Sequence, residues 1–564
     1  MNISLLPLLA CPVDGLGPLV LDVKDGEGGE GGARVAAGTL TCPGCGRRYL
    51  ITRGIPDLCE LAGDPDETAI KQQEVSARDE EAASYELMFT GYQTAAERGA
   101  ILARLALQPT HRVLEVGCGT GRITRAVAGE CAELVAVDFS MHALRQLQHQ
   151  LGDRPDIHLL RADANKLPFC PSACFQRIVS SQVLEHLPSP ALRNAFFASS
   201  RRLLAPDGRL VLTTYNHSRQ KRSAGVPKEG RHDSGVYYFC YGAAELAAAL
   251  RPFFAVDEVC GVRNRLVPAR VLERVGRLGP ALDVLVSRTP VSRATGHLLL
   301  VRARPLAANV VVHPRRAHTV AEVFFSDHVP VGAADVAELV QSPTFQAGGR
   351  CEEFWTIAVE LSGDDASLIE GFTKGARADV RRAEGDGLGY EAHRHPDGAT
   401  VIAFRAFYDR LAEEKGLSRA DPGRLSRLAE AGLLDLSSVI GEDGGALVWH
   451  AYVRTPERAR LLLSATRPRA GSGPALRSRM GRANRWHHWR DMLRFKAEGV
   501  EVYDLGGWYE GSLDEGRLRV NAFKEEFGGE RVRMYNCWRP LTRRGVLVLA
   551  ARGVRKWFRS RDGA

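Results

Sequence analysis

Two groups of residues in this 564-residue sequence have the types and spacing to do chemistry. The first lies in 111–129, HRVLEVGCGTGRITRAVAG, where Gly117, Gly119 and Gly121 alternate behind the apolar run of Val113, Leu114 and Val116. A short buried strand turned by glycines into a helix lets the backbone approach a ligand where a side chain would collide. A dinucleotide site uses the same turn, but with glycines in the pattern G-x-G-x-x-G. Here Arg122 stands where the third glycine of that pattern would fall, and Glu115 precedes the first glycine by two residues. A carboxylate there repels a pyrophosphate and suits a cationic ligand. The second group is Cys11, Cys42, Cys45 and Cys59, crowded into the first sixty residues, while the rest of the 12 cysteines scatter as small hydrophobes do. The N-terminus is apolar but has no basic n-region and no cleavage site, so no signal peptide is expected. The cysteine cluster then reads as a metal site and not as a disulfide framework.

These residues need elements to hold them. From 86 to 305 short apolar runs alternate with helical patterns, the signature of an α/β domain with a doubly wound parallel sheet. Ahead of it, 1–62 forms a small module interrupted by a Gly-rich acidic loop, and 63–85 reads as a polar linker. The segment AANVVVHPRRAHTVAEV marks a second boundary, and 320–564 reads as a mixed α/β domain with no nucleotide fingerprint. A hydrophobic fraction of 45% with 25% charged residues is ordinary for soluble globular protein. No run approaches the roughly 20 apolar residues of a membrane span, and the cytoplasm is the expected compartment. The net charge of +8, from 75 basic and 67 acidic residues, allows an anionic partner without demonstrating one.

The first glycine-rich stretch resembles the class I S-adenosylmethionine-dependent methyltransferases, whose E/D-x-G-x-G-x-G motif it reproduces. The likeness continues in order through AELVAVDFS, IHLLRADANKLPF, CFQRIVSSQVLEHL, LLAPDGRLVLTTYN and HLLLVRARP. It implies that Glu115, Gly117, Gly119 and Gly121 surround the cofactor's methionyl part, that Asp138 accepts from the ribose hydroxyls, and that Asp163, Ala164 and Gln182 lie along the rest of the cofactor. It also places Glu185 and His186 toward the transferred methyl, His186 as a candidate base for a hydroxyl acceptor; the plainer reading is that both only shape the pocket. Enzymes that methylate exocyclic or amide nitrogen often carry an Asn/Asp-Pro-Pro-aromatic run at this place. Residues 180–183 are Ser-Ser-Gln-Val, so O- or C-methylation of a small molecule is favoured. Substrate-lining residues are expected in 216–236 and 263–293.

The N-terminal order LLACPVDG, LTCPGCGRRYLITRGIPDLCE resembles the zinc-ribbon family that includes activator subunits of tRNA and protein methyltransferases. The second cysteine of its first knuckle is replaced by Asp14. Cys11, Cys42 and Cys45 with Asp14, or with Cys59, can hold zinc; alternatively the site is degenerate and apolar residues hold the ribbon.

The C-terminal third resembles the Fem-type branch of the GNAT acyltransferases, through the basic helix with Arg377, Arg381 and Arg382, the Asp504-Leu505-Gly506-Gly507 turn, and Phe523-Lys524 followed by Phe527-Gly528-Gly529. The resemblance implies transfer from aminoacyl-tRNA or acyl-CoA onto an amine, with Lys524 as a phosphate or carboxylate contact. Residues 477–496 hold seven Lys/Arg against Asp491 alone, with Trp486 and Trp489 interleaved. That composition suits a tRNA acceptor end, and equally an amphipathic helix with a solvated basic face and buried tryptophans. Three readings follow: a bifunctional biosynthetic enzyme, a tRNA or protein methyltransferase with a non-catalytic binding module behind it, and a methyltransferase with a purely structural rear domain.

Overall fold

A computed structural model describes residues 1–23, 34–60, 72–73, 75–76, 91–152, 154–170, 173–264, 266, 269–276, 278–307, 309–315, 317–330, 332–467 and 473–551. The Gly-rich loop and nearly all of the 63–85 linker lie outside the described residues. The chain divides into two compact units, Met1–Leu306 and Ala307–Ala564.

The first unit opens with an antiparallel sheet of β1 (Val20–Asp22), β2 (Gly38–Thr41), β3 (Arg48–Thr52) and β4 (Ile55–Pro56). Behind it come β5 (Arg112–Val116), β6 (Glu133–Asp138), β7 (Ile157–Arg161), β8 (Phe175–Ser181) and β9 (Leu204–Tyr215). A hairpin of β10 (Glu229–Arg231) and β11 (Tyr237–Phe239) follows, then β12 (Phe254–Asn264) and β13 (Gly296–Pro305). The large sheet runs β12-β13-β9-β8-β5-β6-β7; β7 to β9 are parallel to their neighbours, and β13 and β12 return antiparallel. The central strands are apolar nearly throughout because helices cover both faces, which leaves no polar alternation to read.

The ribbon packs directly on the large sheet. It closes the open β7 edge: Asp57 bridges Arg161 in parallel, Leu58 N donates to Arg161 O at 2.9 Å, and Ala10 N donates to Pro168 O at 2.9 Å. Leu5, Leu9, Leu40, Ile51 and Leu58 join Leu160, Leu167, Phe169 and Phe175 in one buried cluster.

The second unit holds β14 (Val310–Pro314), β15 (Thr319–Phe324), β16 (Val336–Ser342), β17 (Arg350–Glu360), β18 (Gly389–His393), β19 (Leu434–Ile440), β20 (Ala446–Arg454), β21 (Arg458–Thr466), β22 (Val502–Gly507) and β23 (Glu530–Pro540). They form one sheet in the order β14-β15-β16-β23-β17-β22-β21-β20-β19-β18. This corrects the boundary at 320: β14 pairs with β15, so the unit begins at Ala307. It also corrects the reading of the scattered cysteines. Cys351 and Cys537 face each other across β17 and β23 with Cα atoms 4.1 Å apart and are joined as a disulfide across a separation of 186 residues, which sequence spacing does not reveal.

The Pro474–Ala497 helix decides between the two readings of its basic residues. Trp486 and Trp489 are buried, Arg482 pairs with Asp386, Arg485 with Glu526, Arg494 with Asp435, and Lys496 with Asp365. These four charges are balanced within the unit.

Candidate active site

The strand order reverses beside β5, which connects first to β6 on one side and later pairs with β8 on the other. Ligands in open α/β sheets bind at such a switch point, beyond the carboxyl ends of the strands. A cavity of about 1200 Å³, its open mouth included, lies there. Glu115, Gly117, Gly119, Asp138, Asp163, Ala164, Gln182 and His186 all line it. Two expected residues do not. Gly121 packs on the helix Met141–Leu151, where a Cβ would meet Leu147 Cδ1 at 2.2 Å, so its glycine serves helix packing. Glu185 is fully buried and absent from the cavity wall, which corrects its placement at the methyl group; the 3-10 turn Leu184–His186 aims successive side chains to different sides.

The glycine loop forms a cradle. Gly119 has φ +52, and a Cβ built on it meets nothing within 4 Å, so the space beside its backbone is left to a ligand. Asp138 ties the loop to the next element: its Oδ2 accepts from Gly119 N at 2.7 Å and its Oδ1 from Ser140 N at 2.9 Å, while Ser140 Oγ caps the Met141–Leu151 helix. Asp163 is held by Asn165 through its backbone and side-chain nitrogens, both at 2.9 Å. Glu115 is buried, its Oε2 has no hydrogen-bond partner, and burial pushes its carboxyl up to about 8. An orphaned carboxylate oxygen beside an open backbone cradle fits a cationic sulfonium ligand, so the residues present suit S-adenosylmethionine.

Sequence reasoning missed Glu97. It lies on the Gly91–Leu105 helix in a polar stretch with the look of a solvent face. In the structure it is fully buried, pairs with Arg122 at 2.8 Å, and accepts from Ser181 Oγ, Thr213 Oγ1 and Gln182 Nε2. Burial works to raise its pKa, but Arg122 overrides that and holds the carboxyl below its ordinary range. Arg122, the residue that broke the dinucleotide pattern, therefore anchors the cavity floor.

Beside His186, the β10–β11 hairpin brings His232 and Tyr238 toward Tyr215 of β9. Ring centroids of His186 and Tyr215 lie 5.9 Å apart, those of His186 and His232 6.3 Å, and those of Tyr215 and His297 6.0 Å. His186 Nδ1 lies 2.8 Å from Tyr237 O. A carbonyl only accepts, so Nδ1 carries a proton, and in the neutral form of the ring the lone pair lies on Nε2. Of the expected insert 216–236, His232 stands beside His186, but no residue of the insert is among those lining the cavity. The expected stretch 263–293 does not line the cavity; its Asp283 instead bonds Tyr92 and the backbone of Arg263 and Asn264.

In the ribbon, one ligand atom each from Cys11, Asp14, Cys42 and Cys45 lies within 4.8 Å of the others. Cys11 and Cys45 Sγ are 3.7 Å apart, and Asp14 Oδ2 is 3.2 Å from Cys42 Sγ. Such spacings match a tetrahedral ion with metal–sulfur bonds of about 2.3 Å, so zinc fits this set. Cys59 lies outside it. A second buried group, His450, His487 and Asp491, does not fit a metal. The two imidazoles stack at 3.8 Å and 4°, and one ion cannot lie in both ring planes. They form a hydrogen-bonded network with Tyr452 and Tyr503.

The structure also brings Lys524 to the 504–507 turn, its Nζ donating to Gly507 O at 2.5 Å; burial lowers its pKa to about 8.

Comparison with known proteins gives two family matches, a methyltransferase domain over residues 113–208 and a Trm112p-like protein over residues 2–54. A demethylmenaquinone methyltransferase from Renibacterium salmoninarum is 30% identical over 125 residues, 22% of this chain and 50% of the relative. A ubiquinone biosynthesis O-methyltransferase from Haemophilus ducreyi is 31% identical over 112 residues, 19% of this chain and 46% of the relative. The chain thus spans about half the length of the curated relatives it matches. Among solved structures, a complex of the Haloferax volcanii Trm112 methyltransferase activator matches with 16% identity and TM-score 0.31 over 41% of this chain and 98% of that one. FemX matches with 13% identity and TM-score 0.32 over 40% of this chain and 83% of that one. Residues 113–208 thus match a methyltransferase domain whose cavity suits S-adenosylmethionine, and residues 2–54 match a Trm112p-like protein.

Proposed function

We propose that the first unit methylates a small-molecule acceptor at oxygen or carbon, with His186 as the base. S-adenosylmethionine, when bound, supplies an electrophilic methyl group. The chain's own residues align the acceptor and take its proton: His186 presents an unprotonated Nε2, Tyr215 and His232 give it aromatic neighbours, and Glu115 balances a positive charge. The carrying observation is the bond between His186 Nδ1 and Tyr237 O, which sets the tautomer a base needs. O-methylation is also the chemistry named in one of the relatives.

The test is turnover to S-adenosylhomocysteine on a panel of phenolic and enolic acceptors. His186→Gln is expected to lower kcat by roughly 10²–10³-fold, the usual range for a lost base, and to flatten the rising limb of the pH profile. S-adenosylhomocysteine affinity should stay within about threefold, since the ring need not touch that ligand. An unchanged pH profile would remove His186 from the mechanism.

We further read the second unit as a Fem-type GNAT domain that transfers an acyl or aminoacyl group, supported by the ordered sequence phrases and by Lys524 standing against the 504–507 turn. Loss of acyl transfer in Lys524→Ala, with methyl transfer intact, is the expected result. The macromolecular alternative is disfavoured because the tRNA-like helix spends most of its positive charge on internal pairs.

A further inference from the structure

The Leu278–Ser287 helix of the first unit is built inside out. Its buried residues are Gly279, Asp283 and Ser287, spaced four apart. Leu278, Leu282 and Leu285, on the opposite stripe, are 67%, 48% and 61% exposed. A surface helix ordinarily does the reverse. The inward polar groups are held in place. Asp283 accepts from Tyr92 Oη at 3.1 Å and from the backbone nitrogens of Arg263 and Asn264. Ser287 Oγ accepts from Arg104 Nη2 at 3.0 Å and donates to Val284 O at 2.6 Å. With these bonds made, the helix cannot roll to bury its leucines without stranding a buried carboxylate.

The neighbouring helix Ala269–Arg274 extends this face. The two meet where Gly279 passes Leu272, so closely that a Cβ on Gly279 would lie 2.4 Å from Leu272 O. Leu272 turns inward onto Tyr92 and Ala96, while Val271 and Val275 stay exposed. Among the described residues, seven of the 21 exposed large apolar side chains fall within 266–291. Scattered singly, such residues need no explanation; gathered in one stretch, they mark a surface that meets something apolar. The same stretch is basic. Residues 263–293 carry seven arginines against Glu273 and Asp283, and Asp283 is already spent inside. Among the described residues, Arg274, Arg288 and Arg293 are exposed, and no carboxylate lies within ion-pair distance of them.

The charge selects the occupant. A second copy docked about a two-fold axis would set the patch against itself and bring arginines onto arginines. An anionic bilayer surface answers both features at once. An apolar helix face lies in its plane at the acyl boundary, and arginines reach up to the lipid phosphates. The outward face of two adjacent helices is convex, a shape that a fluid surface accommodates. No described helix is long and apolar enough to cross a membrane, so the contact is peripheral. We infer that the outer face of the helices Ala269–Arg274 and Leu278–Ser287 docks this chain on an anionic membrane surface. The face shares no residue with the methyl-transfer cavity, so docking does not depend on the reaction proposed above.

The experiment is co-flotation of the full chain with phosphatidylcholine vesicles containing about one-third phosphatidylglycerol, beside vesicles of phosphatidylcholine alone. Binding to the anionic vesicles is expected to exceed binding to the neutral ones and to weaken with added salt. The double variant Leu282→Ser, Leu285→Ser should weaken it by roughly tenfold or more, the scale of a leucine no longer buried. Arg274→Gln and Arg288→Gln should each weaken it by roughly fivefold. Ile402→Ser, at an exposed apolar position of the second unit, should bind as the wild type does. Thermal midpoints without lipid should match throughout, since the substituted side chains already face water. Three outcomes overturn the inference. One is equal vesicle binding by the wild type and the double leucine variant. Another is no vesicle binding by the wild type, with a dimer that the double variant dissolves, which would assign the face to a second copy. The third is a lower thermal midpoint of the double variant without lipid, which would mean that the chain itself covers the face.

Discussion

Glu115 lies one residue before the end of the buried strand β5, and its Oε2 meets no donor. Burial pushes its pKa to about 8, above the ordinary carboxylate value of about 4.3. Between those values the fold keeps a proton that the unfolded chain has released, so this group's contribution to stability falls as pH rises through that window. A cation in the cavity reverses the preference and expels the proton. Affinity for S-adenosylmethionine should therefore climb from pH 6 to pH 8 and then level off, by about tenfold per unit at most. Calorimetry in two buffers of different ionisation heat should show proton release below pH 8. S-adenosylhomocysteine, which lacks the sulfonium charge, and Glu115→Gln should both give flat profiles; a slope in either would mean another group titrates. The glycines, Asp138 and Asp163 were legible because each belongs to a short local phrase. Glu97 was not, because its partners Arg122, Ser181 and Thr213 lie 25 to 116 residues away.

At the scale of elements, the ribbon and the β7 edge are one construction. An open edge strand is a pairing hazard, and the Asp57–Arg161 bridge with Leu58 behind it covers this one. Phe169 faces Leu9 and sits edge-on to Phe175 at 5.3 Å. Phe169→Ala should cost about 3–5 kcal/mol, as other buried Phe truncations do. It should also expose the ribbon to limited proteolysis before the large sheet unfolds. Leu58→Ala, on the ribbon side, should act in the same direction; protease resistance in both variants would show that the edge contact is dispensable. The ribbon's cysteines were readable from spacing, whereas its docking was not, since a two-residue strand such as β4 leaves no periodic signal. The Pro474–Ala497 helix teaches the converse lesson. Its composition displays seven basic residues, and composition is silent on whether their partners sit in solvent or in Asp386, Asp435 and Glu526.

For the molecule as a whole, each unit has buried clusters drawn from its own residues. Fragments 1–306 and 307–564 should therefore fold separately. The second should be acid-labile. His487 and His488 are fully buried, and burial holds their pKa values well below 6.5. The unfolded chain takes up protons below about 6.5 that the fold refuses, so this part of the stability is complete above that pH and lost as pH falls through it. Calorimetry of fragment 307–564 should show its midpoint dropping by several degrees between pH 7.5 and pH 5.5. The double variant His487→Gln, His488→Gln should shrink that drop, and an undiminished drop would place the sensitivity elsewhere.

The sequence by itself determined the α/β class, the glycine cradle, the acidic residues along the cofactor cavity and the thiol-rich ribbon, because each rests on neighbours in the chain or on a short period of apolar residues. Tertiary structure alone decided that Glu185 faces the core while His186 faces the cavity, that Cys351 meets Cys537, that ribbon and methyltransferase share a core, and that the Leu278–Ser287 helix turns its leucines outward. Those outcomes depend on which distant segments pack together, and pairing across a hundred residues leaves no trace in local spacing.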